Sequence, residues 1–131
     1  MATVMKTARV NASPTDVWAM VSDVGNVGKL TEMITNSTVE GDHRTCVLAD
    51  GQKLEESILS VDHDLRRMAY RVHESPFPID EHAASMTVSD DEGKARITWV
   101  TDVLPHESAP IFNEAAEAMF SDLVGRLGGE A

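Results

Sequence analysis

Three side chains in the middle of the chain carry most of its capacity for chemistry: Glu56, Tyr70 and His82. They are a carboxylate, a phenol and an imidazole, and they fall on three successive stretches that read as strands. Burial of such a trio in an apolar pocket would let it hold and shuttle protons, provided the pKa values move toward neutrality. The imidazole begins near 6.5 and the phenol near 10, so His82 is the expected proton carrier and Tyr70 the hydrogen-bond donor. Centring the hairpin turn on His63 places Glu56 almost opposite Tyr70. Each residue also has an ordinary structural reading. Tyr70 could be a core ring with its hydroxyl satisfied, and His82 could close a strand end beside Pro78. Glu56 could face solvent opposite Arg71, because a one-residue slip exchanges the two faces of a strand.

The elements that must position these groups follow from periodicity. Strands are expected at 2–11, 33–41, 44–49, 53–61, 66–74, 81–89 and 95–104, separated by turn chemistry such as Gly41-Asp42, Asp50-Gly51 and Asp90-Asp91-Glu92-Gly93. Met68, Tyr70 and Val72 share one face of their strand, opposite Arg67, Arg71 and His73, so Tyr70 is expected to point inward. By the same alternation His82, Ala84, Met86 and Val88 face inward, as do Ile97, Trp99, Thr101 and Val103. The stretch 53–61 is ambiguous, since Leu54/Glu56/Ile58 and Glu55/Ser57/Leu59 are equally apolar. Ser13-Pro14-Thr15-Asp16 opens a short helix, with Ser13 as N-cap, Pro14 at the first position and Asp16 closing a capping box. A break follows at Asp23 to Gly28, with one further helical turn near Lys29-Leu30.

The segment Ser108–Leu127 is the strongest single element. Phe112, Ala115, Ala116, Met119, Phe120, Leu123 and Leu127 make one apolar stripe at helical spacing. Ser108 is the expected N-cap, and Gly128-Gly129 the stop. A helix apolar along one side must lie on a surface, and the preceding strands supply it.

Composition narrows the partners. The chain has 131 residues and a formal net charge of −11, from 22 acidic and 11 basic residues. That balance disfavours nucleic acid and anionic membranes. Cys46 is the one cysteine, so no intramolecular disulfide can form and a reducing compartment is expected. No stretch approaches the roughly 20 apolar residues of a membrane span, and the N-terminus lacks a signal-peptide core. A cytoplasmic, single-domain protein spanning 1–131 is the expectation. The five histidines show no metal-ligand spacing, and Asp62-His63-Asp64 reads as a solvated turn. Neither a metal nor a cofactor is expected, and Cys46 reads as packing rather than nucleophile.

The joints of the chain resemble a known superfamily. Ala12-Ser13-Pro14-Thr15-Asp16-Val17-Trp18 is similar to the A-S-P-x-x-V-W opening of the START-like helix-grip proteins, and Ser22-Asp23-Val24-Gly25-Asn26 to their S-D-x-x-N break. Glu56 before Val61-Asp62, Tyr70, Trp99 and Leu104-Pro105 complete the set. The branch most resembled is that of the polyketide cyclases/dehydrases and lipid-transport proteins. The resemblance implies an α+β helix-grip fold: a curved seven-stranded antiparallel sheet around the long C-terminal helix, short helices after the first strand, and a ligand cavity between. The sixth strand carries His82 where family members often carry an aromatic residue.

The expected function is binding of a hydrophobic small molecule such as a lipid, isoprenoid or polyketide fragment. Met68, Met86, Trp99, Thr101, Phe112, Ala116 and Met119 are the expected ligand contacts. Met20 and Met33 are also expected inside, as parts of a soft apolar wall. Two alternatives stand beside this one: a cyclase or dehydratase using Tyr70, His82 and Glu56, and a non-catalytic protein-interaction module. A homodimer is left open.

Overall fold

A computed structural model describes all of residues 1–131. The order of elements is β1 (Ala2–Arg9), α1 (Pro14–Val21), a 3-10 segment (Val24–Lys29), β2 (Ile34–Glu40) and β3 (His43–Leu48). It continues through β4 (Lys53–Asp62), β5 (Arg67–Glu74), β6 (Glu81–Asp91), β7 (Lys94–Leu104) and α2 (Ala109–Arg126). All seven strands form one antiparallel sheet in the order β1-β7-β6-β5-β4-β3-β2. Consecutive strands from β2 to β7 are neighbours, as short polar turns demand, and β1 returns to pair with β7 at the far edge.

The sheet grips α2. β7 alternates strictly, with Ala95, Ile97, Trp99, Thr101 and Val103 all buried. Phe112, Ala116, Phe120, Leu123 and Val124 are the buried stripe of α2, and they join the strand residues and α1 in one main core. Beneath β2–β4 lies a smaller cluster of Ile34, Cys46 and Leu54. Register irregularities between Glu55 and Glu56 and between Ile58 and Ser60 bend β4, increasing the local twist where the sheet curves.

Both helices show how local sequence sets the ends. Ser13 Oγ accepts the Asp16 backbone N–H at 3.1 Å, giving α1 the N-cap its sequence predicts. At α2 the expectation fails in detail. Ser108 adopts helical dihedrals and makes no cap, because a 3-10 turn over His106–Ser108 already leads into the helix. Its Oγ–H donates instead to the Pro78 carbonyl, tying α2 to the β5–β6 loop. The stop is as expected. Gly128 has φ +105, and a Cβ there would lie 2.7 Å from the Asn11 carbonyl oxygen, so only glycine lets the tail pass. The tail then bridges Val10 to Glu130, just past the end of β1 at Arg9, two residues short of the expected residue 11.

Candidate functional site

Between the concave face of the sheet and α2 lies a largely apolar cavity. The space open to the centres of water molecules is about 90 Å³, and 18 of the 24 lining residues are hydrophobic. One side is α2, through Phe112, Ala115, Ala116, Met119 and Leu123. Opposite them stand Met68, Val72, Met86 and Trp99 from the strands. Ala115 and Ala116 present only methyl groups to this space, where Phe112 and Met119 of the same stripe present large side chains. Of the expected ligand contacts, Met68, Met86, Trp99, Phe112, Ala116 and Met119 line the cavity. Thr101 does not. It is buried at 1% exposure but lies outside the cavity lining, two residues beyond Trp99 on β7. Met20 packs at the edge of the core and Met33 is half-buried, and neither lines the cavity.

The polar end is built by β3, β4 and β5. Glu56 is 3% exposed and faces inward, which resolves the ambiguity of the 53–61 stretch in favour of Leu54 and Glu56. Its cross-strand neighbours are Arg44 on β3 and Val72 on β5. Tyr70 stands opposite Ile58 and not opposite Glu56. The hairpin closes at the Asp62–Arg67 pair, so its centre lies beyond His63, and the irregularity at Leu59 shifts the register again. The turn itself is held by Asp62 Oδ1, which accepts the N–H groups of Asp64 and Leu65. His63 Nδ1 accepts Trp18 Nε1–H at 3.1 Å, outside the cavity lining.

Sequence reasoning missed Arg44, the partner that explains a buried glutamate. Arg44 is 4% exposed, and its Nε–H donates to Glu56 Oε1 at 2.6 Å. An Nη1–H donates to the Val24 carbonyl at 3.1 Å, and the guanidinium carbon lies 5.2 Å from the centroid of the Tyr70 ring. Burial is unfavourable for this cation, but the Glu56 carboxylate, with smaller help from Cys46 and Tyr70, holds the guanidinium pKa above its usual value. Cys46 Sγ–H donates to the same Oε1 at 3.3 Å. Burial and the Glu56 charge push this thiol up to about 12, so it is an inert hydrogen-bond donor and no nucleophile. A signal was available in the sequence. Centring the turn on Asp50 places Arg44 opposite Glu56, six residues to either side, and opposite charges facing one another across two strands stabilise the pair.

Tyr70 and His82 share the cavity, with ring centroids 5.6 Å apart, and Phe112 of α2 lies 5.7 Å from the imidazole. Trp99 Nε1–H donates to Tyr70 Oη at 3.0 Å. Burial raises the phenol well above its usual range, so it stays protonated and can donate its own O–H into the cavity.

His82 departs from the expected proton carrier. It is 1% exposed, and desolvation, assisted by the Arg71 charge, lowers its pKa from 6.5 to about 4. Near neutral pH it is therefore uncharged. Its Nδ1 accepts the Val72 backbone N–H at 3.1 Å, which puts the ring proton on Nε2. The reason is topological: regular β5–β6 pairing stops at Tyr70–Ala84, and the imidazole takes the backbone donor left beyond it.

Fold and site together define a helix-grip protein of the START-like class, with an apolar cavity closed at one end by a hydrogen-bonded polar cluster. The chain belongs to the polyketide cyclase/dehydrase and lipid transport family, whose model matches residues 1–129. No curated protein matches the sequence. Among solved structures, XoxI from Bacillus cereus superposes with a TM-score of 0.87 at 18% identity, covering 97% of this chain and 96% of that one. A START superfamily protein from Mycobacterium smegmatis gives 0.78 at 15% identity, with 95% and 96% covered. The di-domain ARO/CYC BexL from the BE-7585A biosynthetic pathway gives 0.77 at 14% identity, covering 97% of this chain and 45% of that one. At these identities the likeness is one of fold. No helix of the chain is long and apolar enough to cross a membrane.

Proposed function

We propose that the protein binds a small hydrophobic molecule between sheet and α2, with the molecule's polar group against Arg44, Glu56 and Tyr70. The observation that carries this reading is the combination of apolar walls and one buried polar end with hydrogen-bonding capacity left over. Glu56 Oε1 is fully engaged, while Oε2 makes no hydrogen bond within the protein. No side-chain nitrogen or oxygen that is shut away from accessible space lacks a partner, so Oε2 opens on the cavity. An interaction module with a filled core has no use for such an arrangement.

The space of about 90 Å³ is below the ~300–1,000 Å³ of pockets for drug-sized ligands. It suits a short chain or a ring. Larger occupants require movement of Met68, Met86 and Met119, whose unbranched side chains adapt readily. Binding is favoured over acid–base catalysis by Tyr70, His82 and Glu56, because burial moves the phenol up and the imidazole down, both away from the neutral range a proton shuttle needs.

Native mass spectrometry of freshly purified protein tests the reading. The expected result is an added mass that leaves on denaturation, or, for protein that emerges empty, saturable uptake of the uncharged dye Nile red. Bare protein that also takes up no dye contradicts it.

A further inference from the structure

The charges around the cavity specify the ligand more closely, an inference that rests on the binding reading above. Among the lining residues Arg44 is the one cation, while Glu56 and Asp23 are both acidic. Arg44 is neutralised by Glu56 at 2.6 Å and gives one Nη1–H to the Val24 carbonyl, while its Nη2, like Glu56 Oε2, makes no hydrogen bond within the protein. Asp23, which takes a hydrogen bond from Asn26 Nδ2 at 2.9 Å, is exposed and stands at the rim. The lining is therefore net negative, within a chain whose formal charge is −11. A ligand carboxylate or phosphate would lose its hydration without gaining a free cation, an unfavourable exchange.

The same end offers one acceptor, Glu56 Oε2, and donors in the Arg44 Nη2, the His82 Nε2–H and the Tyr70 O–H, whose oxygen already accepts from Trp99. A hydroxyl group is complementary to both, since it gives one hydrogen bond and takes another. A ketone or ester could use only the donors and would leave Oε2 without a partner. An ammonium group is drawn by the net negative lining but would lose its hydration for the single acceptor Oε2, beside the Arg44 guanidinium held over the Tyr70 ring at 5.2 Å. We propose that the cavity selects uncharged hydroxyl-bearing ligands, alcohols or phenols, and that the Arg44–Glu56 pair with Asp23 excludes anions of the same size.

The test uses three probes of equal length, 1-hexanol, hexanoate and hexylamine, titrated at pH 7.5 and followed by tryptophan fluorescence and backbone amide shifts. Hexanol is expected to bind at least about tenfold more tightly than hexanoate, the worth of a hydrogen bond to a charged group. Glu56→Gln keeps the shape but frees the Arg44 charge, so the folded variant should gain hexanoate affinity and lose its preference for hexanol. Asp23→Asn leaves the buried pair intact and should strengthen hexanoate binding by up to about fivefold, as for an exposed charge. It decides the matter if Glu56→Gln does not fold. Hexanoate or hexylamine binding as tightly as hexanol overturns the selection and leaves the binding reading standing. Failure of all three probes to bind folded protein overturns both. A folded Glu56→Gln variant, or an Asp23→Asn variant, with no gain for hexanoate overturns the assignment of the charges.

Discussion

Acidification should destabilise the fold through His82, and the size of the effect follows from its environment. In the unfolded chain the imidazole titrates near 6.5; in the fold, burial at 1% exposure lowers that to about 4. Above 6.5 the ring is neutral in both states and the fold has its full stability. As pH falls below 6.5 the unfolded chain takes up a proton that the fold refuses, so stability is lost until the ring titrates in the fold near 4. At about 1.4 kcal/mol per pH unit the loss is roughly 3 kcal/mol, a large share of the ~5–15 kcal/mol typical of a domain. The charged groups around the ring are Arg71, which lowers its pKa, and Asp102, which raises it slightly. Other carboxylates titrate in part of the same window, so the comparison is with His82→Asn. Asparagine can still accept the Val72 N–H but cannot titrate. Urea unfolding from pH 7.5 to 4 should give the wild type an additional slope of stability against pH that the variant lacks. Equal slopes in the two proteins would refute the assignment, whatever their absolute stabilities.

Three further outcomes follow. Tyr70→Phe leaves the Trp99 indole N–H buried without its acceptor and should cost about 1–3 kcal/mol in chemical denaturation; unchanged stability would show the 3.0 Å hydrogen bond to be energetically idle. Ala116→Leu should block Nile red uptake with the fold retained, because Ala116 is part of the cavity wall, whereas a loss of stability by ~1–3 kcal/mol with uptake intact would place it in the core instead. Deleting residues after Pro110 removes the burial of Phe112, Phe120, Leu123, Val124 and Leu127. At roughly 1.5–3 kcal/mol each this equals a domain's net stability, so the truncated chain should show no cooperative melt in calorimetry.

The fold was legible because its signals are local and redundant. The α2 stripe, the β7 alternation and the turn residues each act over a few positions, and each points to the same architecture. The strand boundaries differ from expectation by a residue or two. Tyr70, His82 and Glu56 do face one cavity, since consecutive antiparallel strands turn their apolar faces to the same side. What was not legible depends on register and burial. The hairpin centre beyond His63 moves the partner of Tyr70 away from Glu56 and the irregularity at Leu59 then sets it at Ile58, and no residue between 55 and 60 announces that irregularity. Arg44 has no part in the sequence reading because arginine is seldom fully buried, and only its pairing with Glu56 makes that placement stable. The His82 pKa was set at its reference value because sequence cannot give the desolvation of a ring closed in by Tyr70 and Phe112.

The central claim, that the cavity between sheet and α2 takes up a small hydrophobic molecule, has an internal reporter and an internal control. Trp99 lines the cavity and Trp18 does not; their indole N–H groups are held by Tyr70 at 3.0 Å and His63 at 3.1 Å. In a nitrogen–proton correlation spectrum the two indole signals can be followed separately while 1-hexanol is added. The account predicts a saturable shift of the Trp99 signal with Trp18 unmoved. A shift confined to Trp18, or none at either ring up to the solubility limit of hexanol, would contradict it.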